Sequence, residues 1–278
     1  TGCRNLETIV LENGFTSRYV MDHGCLVDTT GTYNNRKAKV IVFGCKGAEL
    51  HKTSSDIEAI SESAFRNTDI KEAIIPSNIR CIEPNAFHEC EFLHTVDMSL
   101  CKSLDNVYGH AFSECPSLHT VKFPKSDVKT VFWDACFAYD NRLVEVDMRE
   151  CNTPYIPNGM FHDCISLENV YLPESISRIE EAAFKTCTKL KSITIPKSCR
   201  DIGVEAFKYD GELSSLTFEE DSLLETIADY AFKECFGLKG DIIFPASLSF
   251  IGTSAFDCSE KTNRFGSIGT VSFSPLKS

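Results

Sequence analysis

The feature that most constrains this chain is a short repeated phrase, in which an apolar residue is followed, after three variable positions, by Ala-Phe. Six clear copies end in Ala64-Phe65, Ala86-Phe87, Ala183-Phe184, Ala206-Phe207, Ala231-Phe232 and Ala255-Phe256. Three weaker copies place Phe112, Phe137 and Phe161 in the gaps, so the phenylalanines recur every 22 to 25 residues. A fixed period of this length predicts a solenoid with one turn per repeat, and solenoids usually serve as binding surfaces.

One repeat, residues 179–196, predicts the local structure of a turn. Its Ala-Phe segment is surrounded by charged residues, which indicates one or two helical turns with Phe184 pointing inward. Ile193 and Ile195 then alternate with hydroxyl residues, which is the pattern of a strand with one buried face. Pro196 ends this strand because proline has no amide to donate. Strands that recur once per turn must be parallel, so we expect an α/β solenoid.

The two ends of the chain depart from the repeat. Residues 19–27 and 39–43 are rich in apolar residues and flank the polar stretch 28–37, which predicts an antiparallel β-hairpin. We therefore divide the chain into residues 1–56, a partial repeat plus a hairpin that caps the solenoid, and residues 57–278, a solenoid of about nine repeats. Near the C-terminus we expect a bulge at Gly240, an irregular polar turn, and a last strand over residues 269–275.

The overall charge and hydropathy exclude some classes of partner. The 278 residues carry a net charge of −12, and no basic stripe is present, which argues against nucleic acid. No run of 18 apolar residues is present, so we predict no membrane span. The chain begins Thr-Gly-Cys without a Met or an apolar leader. We expect a processed or excised fragment whose signal peptide or anchor is not included.

Many of the fourteen cysteines lie in one repeat position, three residues after the phenylalanine. This position holds Cys90, Cys115, Cys164, Cys187 and Cys235, and in other turns Thr68, Asp140, Asp210 and Ser259. Small residues in register predict a buried ladder of free thiols that bonds to the backbone. The alternative is a set of disulfides between adjacent turns, such as Cys90 with Cys115 or Cys164 with Cys187.

The full phrase, Ile-x-x-x-Ala-Phe-x-x-Cys-x-x-Leu-x-x-Ile-x-Ile-Pro, resembles the BspA-type leucine-rich repeat. This resemblance implies a right-handed leucine-rich-repeat solenoid with a parallel β-sheet on one face and short helical turns opposite. It also implies secreted or cell-surface proteins of host-associated bacteria or mucosal protists. Such proteins are regarded as adhesins whose partners are extracellular-matrix proteins and host or microbial surfaces. The family has no catalytic motif to transfer.

Signals for catalysis or metal binding are weak. The chain has no P-loop, no Gly-x-Ser-x-Gly, no His-Glu-x-x-His and no Cys-x-x-Cys. His88-Glu89-Cys90 and His162-Asp163-Cys164 occupy equivalent repeat positions, but we interpret each as a solvated histidine beside a core cysteine. We therefore expect no enzyme activity, no cofactor and no metal site.

The outward positions of the predicted strands are the candidate protein-binding face. In chain order they are Thr95, Asp97, Thr120, Lys122, Glu145, Asp147, Asn169, Tyr171, Ser192 and Thr194. For any one of them, the alternative is that the residue only favours strand structure and solubility. Trp133 has two interpretations, an exposed anchor for a partner or packing over an irregular turn.

These observations predict a non-enzymatic protein–protein recognition module, a surface adhesin that binds host or extracellular-matrix proteins. The alternative is an intracellular leucine-rich-repeat scaffold in which the cysteines stay reduced. Ordered disulfides in the native protein would exclude the scaffold.

Overall fold

The structure is a computed structural model that describes residues 6–12, 18–33, 35–125 and 129–258, and the backbone of the strand Ile268–Phe273. The contacts within the chain divide it into two compact units. Unit 1 comprises Thr1–Asp140 and Glu150–Asn152, and unit 2 comprises Asn141–Arg149 and Thr153–Ser278. The boundary that we place between residues 56 and 57 stays a prediction.

Unit 1 begins with five strands: β1 (Tyr19–Asp22), β2 (Cys25–Asp28), β3 (Thr32–Tyr33), β4 (Arg36–Lys37) and β5 (Lys39–Gly44). The antiparallel hairpin is confirmed, because β2 pairs antiparallel with β5. The first predicted strand is in fact two strands, since the chain reverses at His23 and Gly24 and pairs β1 with β2. A side chain at Gly24 would meet the Ala48 backbone, and its φ of +80° favours glycine.

The rest of unit 1 forms two ladders of parallel strands. After a 3₁₀ helix (Leu50–Lys52) the strands are β6 (Ile57–Ile60), β7 (Glu72–Ile74), β8 (Cys81–Ile82), β9 (Thr95–Asp97), β10 (Asn106–Val107), β11 (Thr120–Lys122) and β12 (Val131–Phe132). Strands β7, β9 and β11 pair in parallel, as predicted, and we call such a row a face ladder. Strands β6, β8, β10 and β12 pair into a second ladder that continues from β5. The sequence predicted one parallel sheet, whereas unit 1 has two.

Unit 2 repeats this arrangement with β13 (Glu145–Asp147), β14 (Asn169–Tyr171), β15 (Arg178–Ile179), β16 (Ser192–Ile195), β17 (Asp201–Ile202), β18 (Ser215–Phe218), β19 (Thr226–Ile227), β20 (Gly240–Phe244), β21 (Phe250–Ile251) and β22 (Ile268–Phe273). Its face ladder is β13-β14-β16-β18 and its second ladder is β15-β17-β19-β21. Strand β22 confirms the predicted last strand, and the shift between Gly240 and Ile242 confirms the bulge. Cys3 and residues 259–267 lie outside the described residues.

The predicted helical turns are wrong, because each Ala-Phe segment is a pair of tight turns. Ser63 and Asn67, on either side of Ala64-Phe65, both have φ of +56°, which interrupts a right-handed helix. The amides also alternate in direction. Phe65 N donates to Ala86 O of the next turn at 2.7 Å, whereas Ala64 N donates to Ser61 O of its own turn at 3.1 Å. An α-helix needs every amide to bond four residues back, so this row of stacked turns, the turn row, is not helical.

The turn row carries the phenylalanine core that the repeat predicts. In unit 1 the rings of Phe65, Phe87, Phe112 and Phe137 stack with centroids 4.8, 5.1 and 5.3 Å apart. In unit 2 the rings of Phe161, Phe184, Phe207, Phe232 and Phe256 stack at 5.0 to 5.3 Å. Each turn therefore stacks its aromatic side chain on those of the neighbouring turns, as a solenoid requires.

The cysteine ladder also has the predicted role. Cys90 Sγ donates to Phe65 O of the preceding turn at 3.1 Å, and Cys187 Sγ donates to Phe161 O at 3.2 Å. All thirteen cysteines in the described part of the chain are free, and twelve of them are buried. The thiols therefore satisfy backbone carbonyls instead of bridging adjacent turns.

Candidate functional site

The face ladders place the predicted outward residues in vertical rows. In each strand the central residue, such as Val96 or Val146, is buried, and its two neighbours point to the other face. Parallel pairing in register then stacks equivalent positions of successive turns. The ten predicted strand residues are all exposed or half-buried. The structure divides them between the units, with four in unit 1 and six in unit 2.

The unit 1 face holds Thr95 beside Thr120 and Asp97 beside Lys122. Lys122 Nζ lies 2.7 Å from Asp97 Oδ2, and the Ser99 amide and hydroxyl donate to Asp97 Oδ1 at 3.0 and 2.6 Å. Partial burial opposes ionisation of Asp97, but these bonds outweigh it and lower its pKa. The hydrogen bond to Asp97 raises the pKa of Lys122. The two charges thus neutralise each other.

Two histidines that the sequence analysis missed lie beside this face. The rings of His94 and His119 stack with centroids 5.7 Å apart. Their Nδ1 atoms lie 3.2 Å from Thr95 Oγ1 and 2.8 Å from Thr120 Oγ1, respectively. Each histidine lies directly before its strand. The alternation of buried and outward residues, which was used to select the candidate face, starts one residue later and therefore missed both histidines. A search for histidines at equal repeat positions would have found the pair.

The unit 2 face contains a cluster of Asp147, Arg149 and Tyr171. Arg149 donates Nε and one terminal amine to the two oxygens of Asp147 at 2.9 and 2.6 Å. Its guanidinium carbon lies 4.6 Å from the centroid of the Tyr171 ring, which is 40% exposed. Its hydrogen bond to Asp147 raises the pKa of Arg149. Arg149 lies two residues beyond β13, so the strand pattern alone did not identify it.

Small polar groups surround this cluster. Glu145 lies beside Asn169 in the pairing register, and Asn169 beside Ser192. Thr194 Oγ1 lies 2.9 Å from Thr217 Oγ1 on the next strand. The outward residues around the arginine and tyrosine are therefore all polar, namely Glu145, Asn169, Ser192 and Thr194.

Trp133 does not belong to either face ladder. It directly follows β12 in the second ladder of unit 1. Its ring stacks on Tyr108 at 5.4 Å, its Nε1 donates to Asn106 Oδ1 at 3.2 Å, and the residue remains 43% exposed. Trp133 thus packs on a neighbouring turn and still presents surface to solvent, but it is separate from the other predicted residues.

The expectation of a solvated His88 is wrong. The residue is 8% exposed, and its Nδ1 lies 2.9 Å from Ser113 Oγ of the next turn. His162, at the equivalent position of unit 2, is half-buried and lies 3.0 Å from Asp163 Oδ2. The two histidines differ in the residue of the next turn, which is Ser113 for His88 and Lys185 for His162.

The sequence model of a protein family, the BspA type leucine rich repeat region, matches this chain in six copies, over residues 42–143 and 130–263. The chain belongs to this family. No curated protein matches it. The family assignment agrees with the observed stack of repeats and favours protein partners.

Two solved leucine rich repeat structures are similar to this chain, and the first of them supports the fold. A leucine rich cell surface protein from Faecalibacterium prausnitzii is 22% identical, with 86% of this chain and 73% of that chain covered and a TM-score of 0.60. The leucine rich repeat protein of T. pallidum is 20% identical, with 75% of this chain and 86% of that chain covered and a TM-score of 0.49. Within the described residues of the BspA-type chain, no helix has the length and apolarity to span a bilayer.

Proposed function

We propose that this BspA-type chain is a non-enzymatic recognition module that acts at the cell surface or after secretion and binds host or extracellular-matrix proteins. Repeat solenoids of this kind typically bind proteins and lack catalytic machinery. The similar protein of Faecalibacterium prausnitzii is described as a cell surface protein, which supports the proposed location. The two face ladders are the proposed contact surfaces.

The observation that carries this proposal is the cluster of Asp147, Arg149 and Tyr171. Arginine and tyrosine are enriched among the residues that dominate binding energy in protein interfaces. The carboxylate holds the guanidinium over the aromatic ring, so both side chains are ordered before a partner arrives. Ordering in advance reduces the entropy lost on binding. We therefore place the centre of the interface at this cluster.

The test compares binding of wild type, Tyr171→Ala and Arg149→Ala to a panel of purified matrix proteins and to intact host cells. Truncating a central interface residue costs about 2 kcal/mol, so we expect about 30-fold weaker binding for each variant. Tyr209→Ala is the matched control, because Tyr209 is 38% exposed but lies in the turn row beside Lys208. If both face variants bind every partner as tightly as wild type, this surface is not the interface.

The free thiols favour a second candidate, an intracellular scaffold. The cysteine ladder donates to backbone carbonyls, a role that requires reduced sulfur. Labelling of intact source cells with a membrane-impermeant reagent separates the two candidates. Labelled protein supports the surface module, whereas protein that is labelled only after lysis supports the scaffold.

A further inference from the structure

The turn row of unit 1 brings one buried imidazole against two carboxylates. His88 Nε2 lies 3.4 Å from Glu89 Oε1 and 3.9 Å from Glu114 Oε1 of the next turn. The nitrogen and the two carboxylate oxygens all lie within 4.8 Å of one another. Glu89 and Glu114 occupy the same position of adjacent repeats, so their negative charges lie side by side in register.

Both separations from His88 Nε2 exceed that of a hydrogen bond, and the shorter one equals the distance between two ligands of one metal ion. An N–H···O bond is about 2.7–3.2 Å long, and the shorter of the two distances from His88 is longer than this. Two tetrahedral ligands at about 2.1 Å from Zn²⁺ lie about 3.4 Å apart. The Glu114 oxygen must move about 0.5 Å closer to reach the same separation, and its side chain is half exposed.

Ser113 fixes the imidazole in the orientation that a metal ligand needs. Ser113 Oγ is buried, lies 2.9 Å from His88 Nδ1, and donates to His110 O at 3.3 Å. In the tautomer that carries its proton on Nδ1, His88 donates to the Ser113 hydroxyl oxygen, and the serine proton points to His110 O or His110 Nδ1, both 3.3 Å away. The lone pair of the ring is then on Nε2, which faces the carboxylates. Metal-binding histidines commonly donate their second nitrogen in this way.

We propose that His88, Glu89 and Glu114 form a binding site for a divalent first-row metal ion such as Zn²⁺, with water completing the coordination. One imidazole and two carboxylates are ligands that Zn²⁺ accepts. The ion would neutralise the two adjacent glutamates and crosslink two turns of unit 1.

Arg66 is the group that competes with the cation. One of its terminal amines lies 3.2 Å from Glu89 Oε1, the same oxygen that faces His88. Its hydrogen bond lowers the pKa of Glu89, so this carboxylate stays ionised. Removing this charge frees the oxygen, so we expect Arg66→Gln to bind Zn²⁺ several-fold more tightly than wild type.

Unit 2 contains a matched site that lacks the third ligand. His162 and Asp163 occupy the positions of His88 and Glu89, but Thr186 replaces Glu114 in the next turn. His162→Gln therefore removes a histidine from the equivalent turn without changing the proposed site, and it serves as the control variant.

The test titrates the chelator-treated, reduced chain with Zn²⁺ alone in a calorimeter. We expect one site per chain, at least tenfold weaker binding for Glu114→Gln, and about 10- to 100-fold weaker binding for Ser113→Ala. Glu114 is half exposed, so its variant should fold as wild type does, which thermal unfolding without metal verifies. His162→Gln should bind as wild type does.

Three outcomes would overturn the proposal: no saturable binding to wild type, unchanged affinity of Glu114→Gln, or equal weakening by His162→Gln. Titration with Co²⁺ gives an independent readout. Nitrogen and oxygen ligands give weak visible bands, whereas an intense thiolate-to-metal band would assign the ion to cysteines and also overturn the proposal.

Discussion

At the residue scale, the position three residues after each phenylalanine contains the least expected groups. Asp140 and Asp210 are fully buried where other turns have cysteine. Asp140 Oδ1 accepts from the Cys115 amide at 2.9 Å, but Asp140 Oδ2 has no hydrogen-bond partner, and the Asp210 carboxyl has only a weak contact with the backbone of Cys187. Burial raises the pKa of both carboxyls well above the usual value. Burial therefore favours the neutral, protonated form of each aspartate at a position where neighbouring turns have a neutral thiol.

This assignment predicts that the buried aspartates make the chain less stable as pH rises. The folded pKa lies above the unfolded value of about 3.9, so their stabilising contribution is complete below that value. It is lost as pH rises towards the folded pKa, and near Asp140 the Glu114 charge adds to the effect of burial. We expect Asp210→Cys to increase the free energy of unfolding by about 1–3 kcal/mol at neutral pH, and by less at pH 4. Urea unfolding of both proteins at the two pH values measures this difference.

A gain that is the same at both pH values would mean that Asp210 has the same pKa in the folded and the unfolded chain, which would contradict the raised folded pKa. Carboxylates with a lowered pKa, such as Asp28 and Asp97, contribute stability that increases with pH. Both proteins contain them, so their contribution cancels in the difference between the two free energies of unfolding.

The sequence predicts residue positions well where one side chain type recurs in register. The stacked phenylalanines and the inward cysteines followed directly from the period. The burial of His88 did not, because it involves a contact with Ser113 of the next turn, which the sequence of one turn does not show. The cluster of Asp147, Arg149 and Tyr171 was predicted only in part, since Arg149 returns to the face from beyond the end of its strand.

At the element scale, the turn row replaces the helices that we predicted. Positive φ values recur just before Ala and two residues after Phe, but these positions hold residues as varied as Ser63, Glu89 and Thr186. Only a few of them, such as Asn67 and Asn85, are residues that favour this conformation. The amino-acid composition of these turns therefore resembles that of a short polar helix. Only the backbone geometry distinguishes the turns from a helix.

This geometry predicts that Thr186 is strained. It is β-branched and has φ of +66°, a conformation that costs about 1–2 kcal/mol for an ordinary residue and that asparagine tolerates better. We expect Thr186→Asn to increase the free energy of unfolding by about 1 kcal/mol. Denaturant unfolding measures the change, and Thr194→Asn, in the strand β16, is the control that should not stabilise. Loss of stability in Thr186→Asn would contradict the turn geometry.

The second ladder was missed because its strands are too short to show a pattern. Strands such as Cys81–Ile82 contribute two residues each, and alternation needs at least four. Their isoleucines were recognised only as the first apolar residue of the repeat phrase. These two-residue strands form a sheet only because successive turns stack on one another, and the sequence of a single turn does not show this stacking.

At the scale of the whole molecule, stability comes from contacts between neighbouring turns. Phe184 is fully buried between Phe161 and Phe207, with ring centroids 5.3 and 5.2 Å away. Phe184→Ala should therefore lower the free energy of unfolding by about 3–5 kcal/mol. Phe92→Ala, a change at a phenylalanine that is 48% exposed, should change it by less than about 0.5 kcal/mol. Equal costs for the two variants would contradict the stacked core.

The same regularity supports the proposed function. Parallel strands in register hold the outward side chains of several turns on one fixed face within each unit. A rigid face of this kind binds a partner without a large ordering cost. The central claim is that partners bind this face in unit 2 and do not bind the turn row.

Hydroxyl-radical footprinting of the chain with and without its tightest-binding matrix protein tests this claim most directly. Tyr171 on the face ladder and Tyr209 in the turn row are similarly exposed in the free chain, so they report on the two surfaces with equal sensitivity. We predict that the partner protects Tyr171 from oxidation and leaves Tyr209 unchanged. Protection of Tyr209 with continued oxidation of Tyr171 would contradict the account and place the interface on the turn row.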